Sequence, residues 1–158
     1  MALDAGTTAF LQGKGAQIVS IVDASGWPLA SRAWGIVVVS AEEGRMRVVL
    51  DEEEAPRFAH LAGGGPIAVT SADVPTLQSC QVKGRVDHFE PASDADLAAV
   101  DEHCHAVFTD ISMVDQIPYD LIARIRPERF VVCEITVDEV YVQTPGPGAG
   151  AALAEGGR

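Results

Sequence analysis

Short runs of β-branched residues, separated by turn residues, dominate the first half of the chain. Residues 17–23 and 29–40 have the composition of strands, and the glycine and proline between them indicate a turn. In residues 45–50 apolar side chains recur at every second position, which places them on one face of a third strand. These three segments predict an antiparallel meander.

The second half of the chain adds three more segments with the composition of strands, at residues 66–71, 75–89 and 129–142. In the second of them, alternate side chains fall into an apolar and a polar set, which point to opposite faces of a strand. The apolar set is Cys80, Val82, Gly84 and Val86, and the polar set is Ser79, Gln81, Lys83 and Arg85. This strand is therefore predicted to have one buried face and one polar face.

Helical patterns occur in three places. Residues 2–11 are compatible with a short first helix. A second helix is predicted to begin at Asp51, because the acidic residues there suit the positive end of the helix dipole. The clearest helix spans residues 93–116, where apolar side chains recur at helical spacing and Ser93 with Asp96 can form a capping box.

The order of these elements favours a mainly β fold of the α+β class. About six strands are interrupted irregularly by helices, which disfavours a doubly wound parallel sheet and favours a small antiparallel barrel with flanking helices. Residues 1–142 are predicted to form this single domain. Residues 143–158 are rich in glycine, alanine and proline, and we expect a largely disordered tail there.

The charge balance restricts the partners. The 158 residues include 11 basic and 23 acidic side chains, which gives a formal net charge of −12. Such a surface repels phosphate backbones and anionic lipid, so neither nucleic acid nor a membrane is predicted as a partner. Asp4 stands where a signal peptide needs basic residues, and no apolar run is long enough to cross a bilayer. We therefore expect a cytoplasmic protein whose three cysteines are buried free thiols.

Neither a metal site nor a catalytic residue is predicted. His103 and His105 lie two positions apart on the long helix, so their side chains point roughly 200° apart. The acidic run at residues 51–54 is explained by a solvated helix start. No Ser, His and Asp set has the spacing of a hydrolytic triad.

Two pairs of basic residues are more informative. Arg45 with Arg47, and Lys83 with Arg85, are each two positions apart, so each pair projects from one face of a strand. Such side chains can converge on a phosphate, for which the arginine fork is suited. The alternative is that they face solvent and pair with the many carboxylates. The sequence alone leaves both interpretations open.

Three segments resemble a known family. They are SRAWGIVVV (31–39), TLQSCQVKGRVDHF (76–89) and QTPGPGAG (143–150). Together with the order of elements, they resemble the flavin-binding split-barrel superfamily, the pyridoxamine 5'-phosphate oxidase-like proteins, over residues 3–150. The resemblance implies a six-stranded antiparallel split β-barrel with flanking helices. It also implies a homodimer that binds flavin mononucleotide (FMN) at the subunit interface, although some relatives use a deazaflavin or haem.

The resemblance also implies where a cofactor binds. Ser31, Arg32 and Trp34 lie where family members contact the flavin ring and phosphate, and Trp34 is either a wall of the ring site or a core or interface tryptophan. Gln81 and Lys83 lie on the strand whose polar face lines the same cleft, and Arg85 shares that face. An isoalloxazine needs an apolar slot and a few amide donors, and its phosphate needs fixed cations.

The function implied by the resemblance is that of an FMN-dependent oxidoreductase, with a second copy of the chain and either a small-molecule substrate or a reduced nicotinamide cofactor as partners. A deazaflavin-dependent reductase and a non-catalytic cofactor-binding or stress-related protein are the alternatives. One segment departs from the family. Residues 50–57 read LDEEEAPR where flavin-binding members usually place hydroxyl and basic side chains. These carboxylates would repel a phosphate unless they point outward.

Overall fold

Seven strands and four helices make up residues 1–153, the part of the chain that the computed structural model describes. The strands are β1 (Ala16–Val22), β2 (Pro28–Arg32), β3 (Gly35–Ser40), β4 (Arg45–Asp51), β5 (Pro66–Ala72), β6 (Ser79–Pro91) and β7 (Phe130–Val142). The helices are α1 (Ala5–Leu11), α2 (Ala55–Phe58), α3 (Asp94–Asp115) and α4 (Tyr119–Ile122). Short 3-10 turns follow α2 and α4, at Ala59–Leu61 and Ala123–Ile125.

All pairings between neighbouring strands are antiparallel, and the sheet order is β2-β1-β5-β6-β7-β4-β3. The two edge strands, β2 and β3, are consecutive in the chain and are joined only by Ala33 and Trp34. The Ala33 amide donates to the Gln17 carbonyl of β1 (3.0 Å), and the Trp34 amide donates to the Val49 carbonyl of β4 (2.8 Å). The sheet therefore curls until its edges are two residues apart, and the described chain forms an open, split barrel.

The predicted mainly β, α+β split barrel is confirmed, with seven strands instead of six. The difference lies in residues 29–40, which were expected to form one strand. This segment breaks at Ala33 and Trp34 because their amides bond to two different neighbouring strands. A break of this kind depends on partners distant in sequence, so the local composition does not reveal it.

The helix expected to begin at Asp51 is also different in the structure. Asp51 is the last residue of β4, where it pairs with Phe130, and its carboxylate accepts a hydrogen bond from the Glu53 amide (3.0 Å). α2 begins only at Ala55, with a proline in its first turn. Proline suits that position because its fixed φ angle is helical and its missing amide hydrogen has no helical partner there.

Two apolar clusters make up the core. The first fills the barrel interior and includes fully buried Val19, Met46, Val69, Val82 and Ile135. The second lies between the outside of the sheet and α3, and it is built around Trp34, Val100, Phe108 and Val132. α3 therefore covers the part of the sheet near β3 and β4, and it leaves the opposite part of the outer surface uncovered.

α3 is attached to the rest of the domain by buried polar side chains at seven-residue intervals, a spacing that returns to one helix face. The contacts are Asp96 with Arg47 (2.7 Å), His103 Nδ1 with the Gly13 carbonyl (3.5 Å) and Asp110 with Lys14 (2.7 Å). The predicted capping box is confirmed, because Ser93 and Asp96 bond reciprocally at the helix start. His103 thus faces the barrel, while His105 contacts Tyr119 on another side of the helix.

The described part of the predicted tail turns back onto the barrel. Tyr141 forms an antiparallel bridge with Ala152, and the Leu153 amide donates to the Val140 carbonyl (2.8 Å). Residues 154–158, which were also expected to be disordered, lie outside the described residues. Within the described range no helix has both the length and the apolarity needed to cross a membrane.

The cysteines are free thiols. Cys104 and Cys133 are buried as expected, whereas Cys80 is half-buried near the start of β6. Burial raises the pKa of Cys133 to about 12 and that of Cys80 to about 11, so both thiols stay protonated at neutral pH.

Candidate functional site

We use the term outer face for the outside of β2, β1, β5, β6 and β7. It is the part of the sheet surface that α3 leaves uncovered. Residues directly opposite each other on paired strands point to the same side of a sheet. One such row runs across all five strands: Arg32, Ile18, Thr70, Gln81 and Tyr141. Lys83 and Arg85 follow Gln81 at alternate positions of β6, and both are exposed. The strand register therefore brings Arg32, Gln81 and Lys83 onto one surface.

A groove of about 470 Å³ runs along this outer face between β1, β5, β6 and β7. Lys83 and Arg85 line it on one side, and Asp138 and Glu139 line it on the other. A β-bulge at Gly84 creates this arrangement, because Lys83 pairs with Glu139 while Gly84 pairs with Val137, which leaves Asp138 as the extra residue. The groove is thus bordered by two cations and two carboxylates.

The cations of the outer face differ in how they are neutralised. Arg85 forms an exposed ion pair with Asp138 (2.8 Å). Lys83 has no carboxylate within 4 Å among residues 1–153, and its ammonium lies 4.5 Å from the centre of the Tyr141 ring. Arg32 likewise has no ion pair with any described residue. Both side chains therefore carry a charge that the fold leaves available to a ligand.

The other pair of basic residues is bound within the protein. Arg45 bonds to Glu43 (2.7 Å). Arg47 donates to both carboxylate oxygens of Asp96 (2.9 and 2.7 Å) and also contacts Glu90. The hydrogen bond with Asp96 is the main reason that the pKa of Arg47 is raised, although desolvation opposes it. The ion-pair interpretation therefore holds for Arg45 and Arg47.

Ser31 and Trp34 lie apart from the outer face. Ser31 pairs with Val19, a fully buried residue of the barrel interior, so its side chain points to the opposite side of β2 from that of Arg32. Trp34 is only 6% exposed and packs beneath α3. Of the two interpretations of Trp34, the core tryptophan describes its position in this structure.

The acidic run at residues 51–54 is separated from the cations of the outer face. It follows β4 beside the first residue of β7, whereas Lys83 lies opposite Glu139 near the other end of β7, roughly 30 Å along the strand. Two of its carboxylates are held in ion pairs, Glu52 with Arg129 (3.0 Å) and Glu54 with Arg57 (2.8 Å). Within one chain these carboxylates do not oppose a phosphate placed near Lys83.

The sequence analysis missed Tyr141 as a residue of this surface. It lies directly opposite Gln81, its ring supports Lys83, and its hydroxyl donates to Glu139 (2.7 Å). Tyr141 could be placed on this surface only from the register between β6 and β7. That register includes two bulges, which a sequence does not reveal. Tyr141 supplies an aromatic surface on the side of the sheet where Trp34 is absent.

The residues of the outer face fit a phosphate-bearing cofactor. Arg32 and Lys83 provide positive charge that no described carboxylate pairs with, and Gln81 donates to Thr70 (2.9 Å) and keeps its amide oxygen as an acceptor. Small side chains, Ser20 and Ala68, form the floor between them. A planar ring could lie against such a floor, since no large side chain rises from it.

The fold is shared with proteins of known structure. No protein-family model matches the sequence, and no curated protein is significantly similar to it. A candidate pyridoxamine 5'-phosphate oxidase from Lactobacillus delbrueckii is 13% identical with a TM-score of 0.52, and the match covers 89% of this chain and 93% of that one. An F420 reductase is 11% identical (TM-score 0.55; 87% and 98% covered), and an FMN-binding protein from Syntrophomonas wolfei is 7% identical (0.50; 85% and 82%).

These similarities concern the fold alone, because the identities are only 7–13%. The matches cover most of each chain, so the shared feature is the whole domain and not a single motif. The chain therefore has the fold of the split-barrel, pyridoxamine 5'-phosphate oxidase-like proteins.

Proposed function

We propose that this protein binds FMN on its outer face and acts as an oxidoreductase. The observation that carries the proposal is that two cations, Arg32 and Lys83, have no ion pair with any residue of 1–153 and lie on one surface of a chain with a net charge of −12. In such a chain most basic side chains are neutralised by carboxylates, as Arg47 and Arg85 are. A cation that remains free beside a groove is a site for an anionic ligand.

Arg32 and Lys83 are proposed to hold opposite ends of the cofactor. Three strand spacings separate Arg32 from Gln81 in the row across the sheet, which corresponds to about 14 Å between their Cα atoms. Across that distance the two side chains could share one phosphate only if both were extended directly towards each other. An extended, phosphate-bearing molecule lying across β1 and β5 would be contacted at both ends.

FMN would supply the redox chemistry, namely transfer of a hydride or of single electrons. The residues of this chain bind and orient it: Lys83 and Arg32 by charge, Gln81 by its amide oxygen and Tyr141 by its ring. A second copy of the chain is proposed to cover the outer face and to exclude water, since Ile18 (37% exposed) and Val22 (50% exposed) would otherwise remain in contact with solvent. A small-molecule substrate and a reduced nicotinamide cofactor complete the proposed reaction.

The first test is a titration of the purified protein with FMN, in which binding is monitored through the fluorescence of the flavin. We expect Arg32→Ala and Lys83→Ala each to weaken binding by about tenfold or more, because each removes a charge-assisted contact. Arg124→Ala is the matched control, since Arg124 is the other basic residue in the described range without an ion pair and lies in the 3-10 turn after α4. If the three variants bind FMN equally well, or if the parent protein does not bind it, the proposal is wrong.

The second test separates an enzyme from a carrier. The FMN-loaded protein is mixed anaerobically with reduced nicotinamide cofactor, and we expect the flavin absorbance to bleach. Bound flavin that stays oxidised would favour a non-catalytic cofactor-binding protein. A parallel titration with F420 tests the deazaflavin alternative, which the similarity to the fold of an F420 reductase supports; tighter binding of F420 than of FMN would replace FMN in the proposal.

A further inference from the structure

A second cavity, of about 260 Å³, lies between α1, the start of β6 and the turn that follows β7. We call it the α1 cavity. Its lining includes Thr7 and Phe10 of α1, Cys80 and Tyr141 of the sheet, and Thr144 and Leu153 after β7. Its volume is smaller than the roughly 300–1,000 Å³ of pockets for drug-sized ligands, so it has room for a compound of one or two rings.

Within residues 1–153 the lining of the α1 cavity is uncharged. None of these lining residues is an Asp, Glu, Lys, Arg or His, although 22% of the whole chain is charged. Burial raises the pKa of the Cys80 thiol to about 11, and the hydrogen bond to Glu139 raises the pKa of Tyr141, so both groups are neutral at physiological pH. An ionic ligand would lose its hydration here without gaining a counter-charge.

Each hydroxyl group of the cavity already donates its hydrogen to an acceptor within the protein. The donor and acceptor pairs are Thr7 with Asp4 (3.0 Å), Ser79 with the Leu77 carbonyl (3.2 Å), Thr144 with the Ser79 carbonyl (3.3 Å) and Tyr141 with Glu139 (2.7 Å). Each hydroxyl oxygen keeps lone pairs that can accept a further hydrogen bond. These four hydroxyls therefore offer acceptors to a ligand and favour a ligand that brings its own donor, while the exposed Gln78 amide at the edge of the lining can also donate.

The apolar part of the lining suits a ring. Phe10 and Tyr141 are half-buried, so part of each ring is accessible, and Val142 and Leu153 add aliphatic surface. Aromatic rings contact one another favourably in edge-to-face or offset geometry. We propose that the α1 cavity binds a small, uncharged aromatic molecule that carries one O–H or N–H donor, of the phenol or indole class. This site goes beyond the proposed flavin function and needs no cofactor.

Phenol and indole are the probes, and their binding is measured by ligand-observed NMR titration of the full chain. Anisole has the ring of phenol without the donor, and benzoate has the ring with a negative charge. We expect phenol and indole to bind about tenfold more tightly than either comparison compound, because one unmade hydrogen bond or one desolvated charge costs about 1 kcal/mol or more. Equal binding of benzoate, or no binding of phenol and indole, overturns the proposal.

Gly6→Leu locates the site. Gly6 lines the α1 cavity, and a Cβ atom there would lie 3.2 Å from the Asp4 carboxylate that caps α1, which must shift by a few tenths of an ångström. The added side chain is expected to fill the cavity and to weaken phenol binding by about tenfold or more, while leucine also improves helix propensity. Ala9→Leu is the matched control, because Ala9 is an exposed residue of the same helix outside the lining.

The two variants are compared by circular dichroism melts, so that loss of the fold is distinguished from loss of the site. If folded Gly6→Leu binds phenol as well as Ala9→Leu does, the α1 cavity is not the site. The two proposed sites share Tyr141, so they are distinguished through residues that line only one of them: Lys83→Ala is expected to bind phenol normally, and Gly6→Leu is expected to bind FMN normally.

Discussion

Two strands of the barrel carry basic residues in the same pattern, and the structure gives one residue of each pair, Arg47 and Lys83, opposite surroundings. Arg45 and Arg47 on β4, and Lys83 and Arg85 on β6, are each two positions apart. Arg47 is 17% exposed and reaches three carboxylates, those of Asp96, Glu90 and Glu134. Lys83 is exposed and rests on an aromatic ring.

The neighbours of each strand account for this difference. β4 lies under the N-terminal end of α3, which places the nearly buried Asp96 against Arg47. β6 near Lys83 has no covering helix, and the nearest acidic residue in the register, Glu139, accepts a hydrogen bond from Tyr141. Whether a basic residue is structural or available to a ligand is therefore decided by what packs over its strand, and not by its spacing in sequence.

The largest effect is expected from Arg47→Ala. This change leaves the Asp96 carboxylate, whose side chain is 2% exposed, buried without its partner. Removing one member of a buried pair costs about 3–5 kcal/mol of unfolding free energy, which urea denaturation measures. Arg45→Ala is the matched control, and its effect should be far smaller because Arg45 and its partner Glu43 are both exposed. Similar losses of unfolding free energy in both variants would contradict the distinction between a buried and an exposed arginine ion pair.

The second prediction concerns acid stability. Burial would raise the pKa of the Asp96 carboxyl, but hydrogen bonds from Arg47 and Ser93 outweigh it and hold the pKa at about 2. Because this value is below that of the unfolded chain, the stabilisation is present above about pH 4 and is lost as the pH falls towards 2. It amounts to about 2 kcal/mol, from roughly 1.4 kcal/mol per pKa unit.

The measurement is the unfolding free energy of the parent protein and of Asp96→Asn between pH 5 and 2. Asp96→Asn should be less stable at pH 5 and should lose less stability on acidification, since asparagine does not titrate. The opposite outcome, two parallel curves, would mean that Asp96 contributes nothing to the acid dependence and that its contact with Arg47 is weak.

The same contrast explains which features the sequence could predict. The alternation of Val82, Gly84 and Val86 is a local pattern, and so is the Ser93 capping box, and both are confirmed. The break at Ala33 and Trp34 depends on carbonyls of β1 and β4, which lie 16 and 15 residues away from the residues they bind. The distinction between Arg47 and Lys83 depends likewise on the position of α3. These features follow from packing between distant segments, for which a single sequence contains no periodic signal.

The smallest effect on stability is expected at Lys83. Lys83→Met keeps the length of the side chain but removes its charge, and it should change the unfolding free energy by no more than about 0.5 kcal/mol, since the ammonium forms no ion pair with a described residue. The same variant should weaken FMN binding as much as Lys83→Ala does. Stability that is unchanged while binding falls is the result that separates a free cation from a structural one. If Lys83→Met instead destabilises the fold as Arg47→Ala does, then the cation contact with Tyr141 is structural, and the outer face offers FMN only Arg32.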